Sequence, residues 1–369
     1  MRATGLQSHI WNNNLKSMAL LCFYPILLLA MGWAGAFTVG SFVVPNSISS
    51  DGAAFQINMA NHFIGQYWPA FVTVCAVWFA IAYFFHTKMV RKMAHSHSVT
   101  RKDEPALYNL TENLCIAAGI KMPKLEIIET HARNAFASGI DEKSFTVTVT
   151  RGLLQSLSKD EVEAVIAHEL THIQNRDVRL LIITIIFTGM IGFMAQMAWS
   201  TLRYSIFIPS RHNNRGNGGT FLLIIGLMVI LGIGYFASML TRFALSRRRE
   251  YMADAGAVQM TKNPDAMMRA LMRIAGSAQI PKMPADVNMM CIENKAAFLG
   301  MFATHPPIEK RIRALSLTNN APLPDLPQLT PFHAPRTARD DAFQSPWVGR
   351  DNWVTATRLK HRRNQRNNP

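Results

Sequence analysis

Four runs of the chain carry no charged residue over about twenty positions each, a length that matches a bilayer-crossing helix, and amphipathic sequence fills the space between them. Residues 17–37 and 68–85 form the first pair, with 21 and 18 uncharged positions. Residues 180–199 and 221–240 form the second pair, read as membrane spans against the alternative of a buried helical hairpin. Ala34-Gly35-Ala36 mimics a signal-peptide cleavage site, but the apolar run before it exceeds the length of a signal core, which favours an uncleaved anchor.

Between the pairs the pattern changes period. Val162, Val165, Ile166, Leu170 and Ile173 recur at helical spacing behind Ser158 and Glu161, a capping box that predicts where the helix starts. Residues 107–118 predict a helix, 124–130 and 145–150 alternate as strands, and 140–143 read as a turn. Residues 134–138 predict an extended edge strand, with a plain core strand as the alternative. Asn263-Pro264 opens another amphipathic helix, and 308–315 predict a last one. The fold class expected is mainly α with a small β-sheet (α+β), built into a multi-span membrane protein.

The loops then set the orientation. Residues 38–67 contain neither Lys nor Arg, whereas Lys88, Arg91, Lys92, Arg101 and Lys102 follow the second span. The positive-inside rule places both termini and the segment 86–179 in the cytoplasm. Arg203, Arg211 and Arg215, on the opposite side, are a mild violation. The chain is 49% hydrophobic and only 17% charged, yet its net charge is +15. These cations flank the apolar runs, where anionic headgroups attract them, and no nucleic-acid-binding motif accompanies them. The partners expected are therefore a lipid bilayer and polypeptides, with no nucleic acid. Cys22, Cys75, Cys115 and Cys291 show no metal-binding spacing and read as reduced thiols.

The chemistry lies in His168-Glu169-Leu170-Thr171-His172. On a helix, two histidines one turn apart project from one face, where two ring nitrogens can hold one Zn²⁺. Glu169 follows the first of them, placed to act as general base on a water. The spacing thus encodes a hydrolytic zinc site with one ion per chain, most often a peptidase. Asn175 and Val178 stand where the metzincin extension needs Gly and His, which excludes that class. A third ligand must come from elsewhere. Glu250 and Asp254, four apart, share a helix face. Either Glu250 ligates the metal and Asp254 accepts a hydrogen bond from a ligand imidazole, or Glu250 is a surface acid paired with an arginine.

The HExxH pentad followed by Ser246-Arg247-Arg248-Arg249-Glu250-Tyr251-Met252-Ala253-Asp254 resembles the HtpX-type membrane zinc metalloproteases, relatives of the CAAX prenyl proteases. Asn134–Gly139, Val147–Leu154 and Thr304-His305-Pro306-Pro307 are similar to three further blocks of that family, and the resemblance spans about residues 105–315. It implies a cytoplasmic gluzincin-type domain with His168, His172 and Glu250 on zinc, Glu169 catalytic, and Asp254 behind the ligands. Asn134, Ala135, Phe136 and Ala137 would line the substrate as the edge strand. His305 is a candidate to stabilise the tetrahedral intermediate or reach the metal, against a structural histidine at a turn. Arg311 is a weaker candidate for the same stabilising task.

The organisation expected is a cytoplasmic N-terminus over 1–16, a membrane hairpin over 17–85, a metallopeptidase domain over 86–318 interrupted by the second pair of spans, and a Pro-rich linker with a basic tail over 319–369. The resemblance implies a multi-pass protein of the bacterial inner membrane. Its activity would be cytoplasm-facing cleavage of misfolded or damaged membrane proteins, in quality control and stress response. A prenyl-protein protease and a non-catalytic membrane scaffold or chaperone on the same fold are the alternatives.

Overall fold

The computed structural model describes residues 6–43, 50–207, 225–237, 248–275, 277–281, 283, 287, 290–292 and 306–324. His305, most of the loop after the third apolar helix, and the linker and tail beyond 324 lie outside these residues.

Two long helices open the chain, α1 (Leu6–Val43) and α2 (Ser50–Ala94). A short strand β1 (His97–Val99) leads to α3 (Pro105–Ala118), then β2 (Lys124–Ile128), β3 (Ala135–Ser138) and β4 (Thr146–Thr150). The short α4 (Arg151–Ser156) precedes α5 (Lys159–Gln174) and α6 (Asp177–Phe207). A shorter apolar helix α7 (Ile225–Ala237) is followed by α8 (Arg248–Thr261), α9 (Pro264–Ile274) and α10 (Ile308–Asn319).

The expected class holds: the molecule is mostly helical, with one small mixed sheet of order β1-β2-β4-β3. β2 and β4 run parallel, and β3 lies antiparallel to β4 with Ala137 opposite Val147. β3 is therefore an edge, and α5 packs beside it. β1, three residues long, has too few positions to show alternation in the sequence.

α5 starts where its capping box predicts. Ser158 accepts from the Glu161 N–H at 3.4 Å, and the Ser158 N–H donates to the Glu161 carboxylate at 2.8 Å. Its apolar stripe, with Val162, Val165, Ile166 and Leu170 fully buried, sits in the core formed with the sheet, α3 and α9. Asn263 caps α9 by accepting from the Ala266 N–H at 3.0 Å.

Among the described residues, three helices are long and apolar enough to cross a membrane, over Asn13–Gly40, Ala54–Ala94 and Asp177–Met197. The first three predicted spans each lie inside a longer helix. The stretch 38–67 is less loop than its position between two spans suggests, because α2 takes it up from Ser50 and continues through Pro69. Of the fourth predicted span, only α7 falls within the described residues. Met18, Val74 and Phe84 expose more than half their surface on α1 and α2, as lipid-facing side chains do. The Tyr24 and Phe187 rings stack at 4.4 Å, joining α1 to α6 in a second apolar cluster.

α5 and α6 are not one continuous helix. Arg176 takes a left-handed conformation at φ 59° between them, and the chain turns there before Asp177 begins α6.

Candidate metal centre

The interior of α5 brings His168 and His172 together one turn apart. Their rings meet edge to face at 4.7 Å, with the two Nε2 atoms 3.2 Å apart. α8 crosses α5 so closely that Gly256 lies against Thr171, and this crossing carries Glu250 to the histidines. Glu250 Oε2 lies 3.7 Å from His168 Nε2, and Oε1 lies 3.7 Å from His172 Nε2. The three side chains are buried and present ligand atoms within 4.8 Å of one another.

The donor set fits a tetrahedral cation. Ligand bonds of about 2.0–2.1 Å at tetrahedral angles separate donor atoms by roughly 3.4 Å, close to the 3.2 Å between the two Nε2 atoms and the 3.7 Å from each to its nearer Glu250 oxygen. The far side of each imidazole is occupied as well. His168 Nδ1 lies 3.1 Å from Asp254 Oδ1, and His172 Nδ1 lies 3.0 Å from Asp177 Oδ2. A carboxylate at Nδ1 draws the proton there, so each Nε2 turns its lone pair inward.

Arg311, fully buried on α10, supports the same cluster. Its Nε and Nη2 donate to the two oxygens of Asp254 at 2.9 and 2.6 Å, and its Nη1 donates to the Ile292 carbonyl at 3.2 Å. Nη1 also lies 3.6 Å from Glu250. The guanidinium thus braces Asp254 and Glu250, a more central place than the sequence suggested for it. Burial alone would raise the Asp254 carboxyl, but the charge and hydrogen bonds of Arg311, with the His168 bond, hold it below the usual range. Burial lowers His168 to about 4, helped by the charges of His172 and Arg311. His172 is also buried, but Glu250 and Asp177 outweigh that and raise it.

Glu169 stands next to these three side chains without joining their cluster. Burial pushes its carboxyl up to about 7, and the Glu250 charge adds to this, while His172, Arg311 and a hydrogen bond from the Ala137 N–H oppose it. A carboxyl poised there takes and returns protons near neutral pH. A cleft opens over these groups, lined among others by Ala137, Glu169, His172, Asp177, Arg249, Glu250 and Met290.

The four edge residues do different things. Ala137 lines the cleft and donates to Glu169. Ala135 turns its carbonyl outward, where it accepts from the Ile292 N–H at 3.2 Å. The Phe136 ring is buried in the core. Asn134 is a brace: it donates to the Ala278 carbonyl at 2.7 Å and accepts from the Ile292 N–H at 3.1 Å. His305 lies outside the described residues.

Two residues of the site were missed in the sequence, Asp177 and Arg249. On a continuous helix, Asp177 would project about 140° away from His172, five residues earlier. The break at Arg176 returns it to the site, and an acid just past the HExxH helix was the one signal available. Arg249, buried beside Glu250, was hidden in a run of three arginines.

This arrangement is that of a metallopeptidase, and comparison with known proteins narrows the class. The chain belongs to peptidase family M48, whose family model matches residues 101–319. It is 40% identical over 324 residues to the Protease HtpX homolog of Bacteroides fragilis, covering 85% of this chain and 99% of that protein. The Protease HtpX homolog of Listeria monocytogenes serotype 4b is 36% identical over 276 residues, 72% of this chain and 90% of that protein. That of Ligilactobacillus salivarius is 34% identical over 252 residues, 66% of this chain and 84% of that protein. No solved structure matches. The protein is a membrane metalloprotease.

Proposed function

We propose that the protein is a zinc-dependent endopeptidase that cuts cytoplasm-facing segments of misfolded or damaged membrane proteins in the bacterial inner membrane. The observation that carries this reading is the buried cluster of His168, His172 and Glu250 beside Glu169, held at the first residue of a membrane-length helix. His168, His172 and Glu250 would hold one zinc ion, which when bound polarises the scissile carbonyl and brings the pKa of a water toward about 7. Glu169 accepts the proton of the attacking water and passes it to the leaving amine. The Nδ1 partners Asp254 and Asp177 keep the imidazoles oriented throughout. Arg311 keeps Asp254 ionised. His305 is proposed to stabilise the oxyanion.

A substrate segment would lie along the outer edge of β3, with its scissile bond over Glu169. The outward Ala135 carbonyl is bonded to Ile292 and the Ala137 N–H to Glu169. Pairing a substrate strand here therefore exchanges both bonds, and the Ile292 segment yields to it. The membrane supports the choice of substrate. α6, which carries an apolar stretch long enough to cross a membrane, begins at Asp177, which contacts His172, so the reacting groups would lie near the hydrocarbon boundary. α1 and α6 also meet at their N-terminal ends, as they must if both enter the bilayer from the cytoplasm.

The test is cleavage by the purified full-length protein in lipid nanodiscs. An unfolded membrane-protein substrate should be cut at internal bonds, cutting should stop on chelation, and zinc should restore it. Cleavage of a farnesylated C-terminal peptide alone would make it a prenyl-protein protease. Binding without cleavage would make it a scaffold.

A further inference from the structure

Helix α1 touches α6 at Asn13 and Asp177, and Asp177 is the first residue of α6. Asn13 Nδ2 donates to Asp177 Oδ1 at 2.7 Å and to the Asn175 carbonyl at 3.0 Å, across more than 160 residues of sequence. Both donor hydrogens of one amide thus fall on opposite sides of the α5–α6 break. Asn13, Asn175 and Asp177 are each 1% exposed, so these bonds form away from water. The other oxygen of Asp177 faces His172 Nδ1 at 3.0 Å. The Asp177 carboxylate is therefore divided between the first membrane helix and a ligand imidazole. Next to it, Arg176 donates to Asn14 Oδ1 at 3.3 Å, a second tie between the same helix and the same break.

We propose that Asn13 is a positioning residue of the metal centre: it fixes Asp177, and through Asp177 it fixes the tautomer and orientation of His172. The chemistry suits the task. A neutral amide anchors the carboxylate without cancelling its charge, so Asp177 stays a strong acceptor for the imidazole N–H. A lysine at the same place would compete with His172 for the charge. The left-handed turn at Arg176 has no glycine to ease it, and the clamp from Asn13 holds it closed by bonding both of its flanks. The first membrane helix thereby belongs to the metal site, and its seating against α6 sets how well the ion is held. This inference rests on the reading of His168, His172 and Glu250 as zinc ligands.

The experiment measures zinc affinity, by competition with a fluorescent chelator, on the full-length protein in nanodiscs. The variants are Asn13→Leu, Asn13→Ala, Asp177→Asn and the Asn13→Leu/Asp177→Asn double. Leucine keeps the branched shape of asparagine and removes both donors. Asp177→Asn should weaken zinc by about 10–100-fold, as loss of a ligand's hydrogen-bond partner does. Asn13→Leu and Asn13→Ala, one bond further out, should each weaken it by about 3–10-fold, a smaller share of the same effect. The double variant should be no weaker than Asp177→Asn alone, because the two residues act through one hydrogen bond. Thermal unfolding of the zinc-stripped Asn13 variants should stay within about 4 °C of the parent. Parental zinc affinity in both Asn13 variants overturns the proposal. So does full additivity in the double variant, which would make Asn13 a packing residue only. Failure of the parent protein to bind zinc would instead overturn the ligand assignment beneath it.

Discussion

A histidine that gives its Nδ1 proton to a carboxylate has only Nε2 left for a metal, and both histidines here are arranged in that way. Their supports differ. Asp254 is itself held by the Arg311 fork, within a buried chain of charges, whereas Asp177 is held by a neutral amide. Glu250 should therefore behave differently from Asp254 under mutation. Glu250→Ala removes a proposed ligand and should abolish stoichiometric zinc, read by metal analysis after gel filtration. Asp254→Ala should retain zinc with affinity lowered by about 10–100-fold. It should also lower stability by about 3–5 kcal/mol, because Arg311 is left buried without its partner. Full zinc in the Glu250 variant would require a different third ligand. At this scale the HExxH motif was legible in the sequence, because helical spacing puts both histidines on one face. Spacing put Glu250 and Asp254 on a shared face and left open whether that face met the histidines. Asp177 was not legible, because its position depends on a backbone turn at Arg176 that no residue type announces.

Among the elements, the crossing of α5 and α8 decides whether the ligands meet. A Cβ at Gly256 would come within 2.4 Å of Thr171 Cγ2 and 2.7 Å of its Oγ1. Thr171 cannot simply turn aside, since its hydroxyl donates to the Ala167 carbonyl at 2.8 Å. Gly256→Ala should therefore push α8 off α5, cost about 1–3 kcal/mol by overpacking, and weaken zinc by moving Glu250. Thr171→Ala in the same chain should recover most of both losses, measured by thermal unfolding and chelator competition. An unaltered Gly256→Ala protein would show that the helices have room to spare. The sequence did mark where α5 and α9 begin, because Ser158 and Asn263 are capping residues whose partners lie within three positions. It did not mark this close approach. A glycine in a helix reads as a weak helix former until the facing helix is known.

For the whole molecule, the membrane helices and the peptidase domain form one structure, with α6 in both the domain core and the apolar cluster of the membrane part. The charge-free runs were legible because a bilayer demands them. The full lengths of α1 and α2 were not, because polar residues carry a helix past the hydrocarbon as readily as apolar ones. The orientation read from the positive charges can be tested with a membrane-impermeant thiol reagent on intact cells, in a Cys22→Ser background, where the remaining cysteines are buried. A cysteine replacing exposed Lys159, at the start of α5, should stay unlabelled. One replacing exposed Ala54, near the start of α2, should react. Labelling at position 159 with protection at 54 would invert the topology and move the substrate side with it.

In the proposed mechanism Glu169 performs the chemistry at a metal it does not bind. Glu169→Gln tests it directly, because glutamine keeps the shape and cannot accept the proton. Zinc content should remain near one per chain, since the three ligands are untouched, while cleavage of an unfolded membrane protein should fall by about 10²–10⁴-fold or more. Cleavage at a rate comparable to the parent, with zinc still bound, would contradict the account.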